Sequence, residues 1–212
     1  NDDKTDQAFY IHLNHNIETI TPDNPKTPSD IIPGTGKHYP SGVDKESLTK
    51  TVTRTINVTS PDGKTTTIKQ PVTLQRSATV DDVTGQITYK DWNTGNWEEY
   101  NTPRISGYTP SQAQVLAQKV NVNTQDQTIN INYSADAQKA TINYIDDTAG
   151  KTLHSETVNG HTGEAIADPK EAIANYKKQG YQLASDDLAK GASFDNDDKT
   201  DQAFYIHLNH NI

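Results

Sequence analysis

The clearest pattern in this chain is an alternation of apolar and polar residues, which is typical of half-buried β-strands. Near the end of the chain, Phe204, Ile206 and Leu208 share one face of a segment whose other face is polar. Residues 140–144 alternate in the same way. Both segments are therefore predicted strands.

One helix is predicted between these strands, over Pro169–Gln179. Asp168 is the expected N-cap, and Glu171 completes a capping box with it. Gly180 suits a left-handed cap at the C-terminal end. The apolar stripe consists of Ala172, Ile173 and Tyr176. Two strands, a helix and further strands predict a small sheet that is wrapped on one helix, an α+β arrangement.

The earlier part of the chain is richer in predicted strands. Residues 49–60 and 65–80 are alternations of Thr, Val and Ile, joined by a Pro-Asp-Gly-Lys turn. A second turn is predicted at 93–96. The pattern also allows a short helix that starts at Pro110 with Thr109 as its cap, although its apolar stripe is weak.

A perfect repeat fixes the organisation of the parent protein. Residues 1–17 and residues 196–212 are both NDDKTDQAFYIHLNHNI. Chance does not supply such a match, so the parent contains tandem units of nearly identical sequence. Residues 1–17 are then the last strand of the preceding unit, and its apolar face should seek a sheet edge. Residues 18–47 hold five of the ten prolines and are predicted to be an extended spacer.

An older duplication lies inside the unit. Residues 53–64 and 139–151 both contain Thr-Ile-Asn in a predicted strand, followed by a Gly-Lys turn. The unit therefore divides into two related modules, residues 48–135 and residues 136–212. Because the joint between them is short, the two modules are expected to form an elongated rod.

Composition excludes several classes of partner. The chain has no cysteine and no methionine, and therefore no disulfide or thiolate metal site. Its formal charge of -9 and its pI near 5.1 make nucleic acid and anionic membrane surfaces poor partners. With a mean hydropathy of -0.86, it contains no apolar run long enough to span a membrane.

Nothing in the sequence points to catalysis or to a cofactor. Four of the seven histidines are two copies of one pair, His12 and His15 or His207 and His210. A metal site at this pair would need two further ligands, so solvated histidines are the better interpretation. No nucleophile-elbow sequence accompanies them. We therefore expect a protein that is not an enzyme and has no catalytic residues, resident metal or cofactor.

An acidic run spans Asp195 to Asp201, with further aspartates at 197 and 198. Its alternation resembles that of a calcium-binding loop, but it lacks the central glycine and the terminal glutamate of an EF-hand. A solvated acidic loop and a loosely bound calcium ion both stay open.

Four aromatic residues cluster around the second predicted turn: Tyr89, Trp92, Trp97 and Tyr100. Aromatic faces stack on the C–H surfaces of sugars, so these residues are the candidate ligand-binding site. The other interpretation is that both tryptophans fill a core that is otherwise short of large apolar groups.

Arg54 and Arg76 each have two possible roles, one structural and one in ligand binding. Each either ties strands to carboxylates such as Asp81 and Asp82 or binds a ligand. The structural role is the expected one.

Several of these segments together resemble the mucus-binding repeats of lactobacilli. The matching segments are YPSGVDKESL at 39–48, VTRTINVTSPDG at 52–63, QRSATVDDVTGQITY at 75–89, GYTP at 107–110 and INYIDDTAGKTL at 142–153. Their order and spacing cover nearly the whole chain from about residue 38 onward. The resemblance implies modules of the ubiquitin-like β-grasp type in an extracellular adhesin that is anchored to a Gram-positive cell wall.

The resemblance also implies the partners. Members of the family bind mucin glycoproteins, and immunoglobulin binding is described for some repeats. We therefore expect adhesion to host mucus through weak, multivalent contacts with mucin glycans, and contacts with neighbouring repeats of the same chain. An immunoglobulin-binding module and a structural spacer in the adhesin stalk are the alternatives.

Overall fold

The structure is a computed structural model, and it describes residues 3–212. These residues form two compact units. Among the described residues, unit one consists of residues 3–55, Lys69–Glu99 and Leu116–Thr128. Unit two consists of Ile56–Ile68, Tyr100–Val115 and Ile129–Ile212. No helix in the described part of the chain is long and apolar enough to cross a membrane.

Residues 137–210 form a four-stranded sheet with one helix. The elements are β12 Ala137–Asp146, β13 Lys151–His161, α2 Lys170–Lys178, β15 Tyr181–Asp186 and β17 Gln202–His210. The strand order is β13-β12-β17-β15, in which the central pair β12 and β17 is parallel and the outer pairs are antiparallel. This is the β-grasp arrangement, so the fold predicted for this half is confirmed. The short strands β14 Ala165–Ile166 and β16 Ala192–Ser193 pair beside it.

The core of this sheet follows the sequence alternation. Ile142 and Tyr144 of β12 are buried with Ile206 of β17 and Ile173 of α2. Phe194 completes the cluster, and Gly160 leaves room for it because a Cβ at Gly160 would lie 2.3 Å from the Phe194 ring.

The start of α2 differs from the prediction. The helix begins at Lys170, and Pro169, with φ -77° and ψ 59°, is its N-cap without a side-chain hydrogen bond. Asp168 therefore lies one residue before the cap, and the predicted capping box is wrong. Its Oδ1 is buried without a hydrogen-bond partner. The other end is as predicted, with Gly180 at φ +100° and its N–H donating to Lys177 O.

A second four-stranded sheet has the same order. Its strands are β2 Thr49–Thr59, β3 Thr65–Gln75, β8 Tyr108–Pro110 and β11 Gln127–Ala135, arranged β3-β2-β11-β8. In both sheets, the first strand lies between the second strand and the last. This shared order supports the internal duplication.

In place of a long helix, residues 78–120 contribute short strands. These are β4 Ala78–Asp81, β5 Ile87–Tyr89, β6 Gly95–Trp97, β7 Tyr100–Asn101, β9 Gln114–Val115 and β10 Gln118–Val120. The short helix predicted from Pro110 is wrong. Pro110 pairs with Tyr133 at the edge of β11, and the Ser111 N–H donates to Asn132 O. Pairing with a distant strand overrides a weak local preference.

The extended spacer predicted over residues 18–47 is also wrong. Strand β1, Ile17–Ile20, pairs antiparallel with β4, and a single-turn helix α1 spans Lys45–Leu48. Within unit one, a hydrophobic cluster packs this segment against β4. The cluster consists of Ile20, Ile32, Tyr39, Val43, Leu48, Ala78 and Val80. The prolines mark turns between buried apolar residues, and those residues hold the segment in a core.

The two copies of the 17-residue repeat differ in structure. In β17, Ile206 and Leu208 are fully buried. Residues 6–16 form no strand, and their equivalents Ile11 and Leu13 are 86% and 87% exposed. The same sequence is therefore a core strand only where a matching sheet is present.

Candidate functional site

The four aromatic candidates do not form one surface. Trp97 lies on β6 and is fully buried in a cluster with Val52, Leu74 and Val120. It is a core residue, because no part of the ring can meet a sugar. Tyr100 packs against another cluster in unit two, which includes Val58 and Ile131. Tyr89 and Trp92 remain together in unit one.

Arg54 explains how Trp97 is held. The guanidinium lies 5.4 Å from the indole and is only 1% exposed. It donates to Gln70 Oε1 at 2.7 Å, to Leu116 O at 2.9 Å and to Glu98 O at 2.8 Å. Its role is structural, as expected, but its partners are an amide and two carbonyls rather than carboxylates.

Arg76 builds the stacked platform, defined here as Tyr89, Arg76 and Trp92. The Arg76 guanidinium carbon lies 3.7 Å from the centroid of the Tyr89 ring and 4.5 Å from that of Trp92. Its Nε donates to Ser47 O at 2.9 Å, and the Tyr89 hydroxyl donates to Gly42 O at 2.8 Å. The expected carboxylate partner is again absent among the contacts of the described residues. One face of each ring is occupied by the cation, so the platform has a structural role whether or not a ligand binds it.

A larger concave site lies in unit two. We call it the Tyr108 groove; it has a volume of about 780 Å³. Polar residues dominate its lining, with Asn101, Arg104, Tyr108, Asp136, Asp198 and Lys199 among them. A smaller hollow of about 340 Å³ adjoins it along Ser106, Asp198 and Lys199. No sequence pattern predicted this groove, although residues 107–110 beside it form one of the family motifs.

Gly107 lies between two residues that line the groove, Ser106 and Tyr108. Its φ of +82° is a conformation that L side chains rarely adopt, and a Cβ there would lie 2.7 Å from Asn196 Cα. The Gly107 carbonyl accepts hydrogen bonds from Asp136 N–H at 2.9 Å and from Thr162 Oγ1 at 2.8 Å. A larger residue would force the loop away from this position, so the motif needs glycine here.

The carboxylates of the groove have hydrogen-bond partners, whereas its cations do not in the described part of the chain. Asp136 accepts a hydrogen bond from the Thr109 hydroxyl, and Asp198 accepts one from Gln138 Nε2 at 2.6 Å. Within residues 3–212, the charged groups of Arg104 and Lys199 have neither a hydrogen-bond nor a salt-bridge partner. The groove thus presents two cations without partners, two carboxylates that each accept one hydrogen bond, and an aromatic ring, which suits a polar ligand that carries hydroxyl groups and an anionic group.

The acidic run does not form a metal site in the part of the chain that the structure describes, where no three His, Asp or Glu side chains converge. Asp195 and Asp197 instead accept backbone N–H groups two residues further on, at 3.1 Å and 2.9 Å. Three of the four histidines that were expected to be solvated, His15, His207 and His210, are each paired with an aspartate. His207 Nδ1 lies 2.7 Å from Asp147 Oδ1, and His210 Nε2 lies 2.9 Å from Asp146 Oδ2.

Several solved structures are similar to parts of this chain. The mucin-binding domain of Spr1345 from Streptococcus pneumoniae is 36% identical and aligns with 42% of this chain and 92% of its own, with a TM-score of 0.39. The type 2 repeat of the mucus binding protein MUB from Lactobacillus reuteri is 29% identical, over 64% of this chain and 67% of its own, with a TM-score of 0.38. The MucBP domain of the adhesion protein from Pediococcus pentosaceus is 27% identical, over 41% of this chain and 99% of its own, with a TM-score of 0.34.

Family models agree with these likenesses. A Muc B2-like domain matches residues 43–137, and a mucin binding domain matches residues 138–210. A search of curated proteins gave no match. The chain therefore belongs to the family of bacterial mucin-binding repeats, with a Muc B2-like domain followed by a mucin binding domain.

Proposed function

We propose that this chain is an adhesive repeat on a bacterial surface, and that it attaches the cell to host mucus by weak, multivalent binding of mucin glycans. The observation that carries the proposal is the Tyr108 groove, with its ring and its two cations without partners. Family membership supports mucin as the partner. Location outside the cell and anchoring to the cell wall are part of the proposal.

The chemistry of the groove matches acidic sugars. Mucin glycans end in sialate and sulfate groups, which are anions surrounded by hydroxyl groups. The guanidinium of Arg104 can donate two parallel hydrogen bonds to a carboxylate or sulfate, and Lys199 adds a point charge. The Tyr108 ring offers a face for the C–H surface of a sugar.

Net charge explains why such contacts must act at short range. At -9, the chain repels anionic mucin over distances up to the screening length of about 8 Å in physiological salt. Attraction then comes only from groups that touch the glycan. A single groove of this kind binds weakly, but many linked copies raise the effective concentration and can strengthen attachment about 10²–10⁴-fold.

Paired substitutions test the groove against the stacked platform. Arg104→Gln should weaken binding of the chain to purified mucin about tenfold, since a hydrogen bond to a charged group contributes about 1.5–3 kcal/mol. Tyr108→Ala should also weaken binding, because it removes the ring face that the sugar would stack on. Lys190→Gln is the matched control, because it removes the same charge from an exposed lysine that does not line the groove. It should leave binding unchanged.

The other outcomes separate the alternatives. Loss of binding in Trp92→Ala, with Arg104→Gln unaffected, would assign the glycan to the stacked platform. Binding that survives enzymatic removal of the glycans would favour a protein ligand, and immunoglobulin can then be tested directly. No binding by any form would leave a structural spacer as the function.

A further inference from the structure

The perfect repeat places two short segments at the same position of the tandem unit. His15, Asn16 and Ile17 of the first copy are equivalent to His210, Asn211 and Ile212 of the second. Strand β17 ends at His210, and strand β1 begins at Ile17. In a tandem array, the strand that closes one unit is therefore separated by a single asparagine from the strand that opens the next. Such a connection is too short to act as a flexible linker.

The second copy shows how these residues bind the unit that they close. His210 Nε2 lies 2.9 Å from Asp146 Oδ2, and the His210 N–H donates to Thr148 Oγ1 at 2.9 Å. The Asn211 N–H donates to Gly180 O at 3.0 Å. All three contacts lie in unit two.

The first copy shows how the same residues bind the unit that they open. His15 Nδ1 lies 2.7 Å from Asp81 Oδ2. Asn16 Nδ2 donates to Asp82 Oδ2 at 2.6 Å, and Asn16 O accepts the Asp82 N–H at 2.9 Å. All three contacts lie in unit one.

The two sets of contacts use different atoms. The histidine uses its backbone N–H and Nε2 towards one unit and Nδ1 towards the other; the asparagine uses its backbone N–H towards one and its carbonyl and side-chain amide towards the other. Because no atom is needed twice, all six bonds can coexist in one His-Asn pair. We propose that this pair is a rigid joint between consecutive repeats, in which one imidazole bridges a carboxylate of each repeat.

The exposure of the two histidines agrees with a joint that is half-assembled at each end of this chain. The side chain of His15 is 52% exposed, and that of His210 is 47% exposed. Their acceptors occupy related turns, Asp81-Asp82 before Val-Thr-Gly and Asp146-Asp147 before Thr-Ala-Gly. Each repeat thus carries both halves of the contact.

The bridge depends on protonation. A neutral imidazole has one N–H and can donate to only one carboxylate, whereas the imidazolium donates to both. The titratable groups that face the ring are Asp146 and Tyr181 on one side and Asp81, next to Asp82, on the other. The hydrogen bond from His15 is the main cause that lowers the pKa of Asp81 to about 2, so this acceptor stays ionised in mild acid. Imidazoles in general carry their second proton at pH 5.5 and lack it at pH 8, so a joint that needs both N–H groups is tighter at the lower pH.

A two-repeat protein, made by adding residues 18–212 after Ile212, tests the joint. Since the chain has no cysteine, single spin labels can be placed at Lys177 of the first repeat and at the position of Asp23 in the second. At pH 5.5, the distance distribution between the labels should be narrow. His210→Gln should raise the population outside this main peak about tenfold, which corresponds to the free energy of one hydrogen bond to a charged group. Raising the pH to 8 should also broaden the distribution.

His207→Gln is the matched control, since His207 bonds Asp147 within its own unit and should leave the distribution unchanged. Asp81→Asn in the second repeat should act like His210→Gln. Backbone amide spectra of the single chain with each substitution show whether the units stay folded. Equal distributions for the parent and His210→Gln, or no difference between pH 5.5 and pH 8, would overturn the proposal.

Discussion

Replacing Arg54 tests whether a buried cation holds the core of unit one. The Arg54 side chain lies against Trp97, and each of its three guanidinium nitrogens donates a hydrogen bond inside the protein. Arg54→Ala removes these donors and leaves a cavity beside the indole. We expect the free energy of unfolding of unit one to fall substantially.

The magnitude follows from the acceptors that lose a partner. Leu116 O and Gln70 Oε1 lose the guanidinium, while Glu98 O keeps its hydrogen bond from Gln70 Nε2 at 2.9 Å. A hydrogen bond from a charged donor contributes about 1.5–3 kcal/mol, and water can replace the donor in part because neither Leu116 nor Gln70 is a buried residue. Lost packing adds to this cost, and relief of the buried charge offsets part of it. A net destabilisation of about 2–4 kcal/mol results.

Urea unfolding followed by tryptophan fluorescence measures this change. Both tryptophans of the chain, Trp92 and Trp97, lie in unit one, so the signal reports on that unit. Arg54→Lys keeps the charge without the forked geometry and should be intermediate. Lys90→Ala is the control, because it removes an exposed cation from unit one and should change stability by no more than about 0.5 kcal/mol. A loss below about 1 kcal/mol for Arg54→Ala would refute the reasoning, since two lost hydrogen bonds from a charged donor and the lost packing against Trp97 together cost more than that.

Three further predictions concern other features. Gly107→Ala should lower the thermal midpoint and weaken mucin binding together, because the added Cβ meets Asn196 at 2.7 Å; unchanged binding would show that the groove tolerates the shift. The pKa of Asp81 is lowered from 3.8 to about 2, so its contribution to docking of residues 15–17 is present above pH 3.8 and is lost as the pH falls towards 2; amide spectra recorded from pH 5 to pH 2 should show their release. Small-angle scattering should give a radius of gyration well above the roughly 17 Å of a compact chain of this length, as the rod predicted from the duplication requires.

Local patterns in the sequence predicted the strands and the single long helix of the second half. The apolar alternation of β12 and β17 identifies their buried faces without knowledge of the partners, because a half-buried strand has a period of two. The position of the α2 start is off by one residue. Asp168 has the right chemistry for a cap, but the backbone of Pro169 is not helical, and only the structure reveals this.

Contacts between distant residues set the limits of prediction. Ile20 and Val43 are buried because Ala78 and Val80 lie against them, and a count of prolines contains no information about that packing. Likewise, Trp97 is buried and Trp92 is not. The difference depends on the pairing of Trp97 with Gln118 on β10, which no local pattern reveals. The Tyr108 groove also joins residues far apart in the chain, so its cations could not be grouped from sequence alone.

The parallel pairing of β12 with β17 has a mechanical consequence. These are the first and last strands of their sheet, and seven residue pairs, from Ala140–Gln202 to Asp146–Leu208, hold them side by side. Tension applied at the two ends of this segment pulls neighbouring strands past each other along their length. The hydrogen bonds between them are then loaded together in shear, rather than opened one after another from one end. If the chain holds a cell to mucus, as proposed above, the load on it acts in this way, and the sheet is connected so that it resists such a pull.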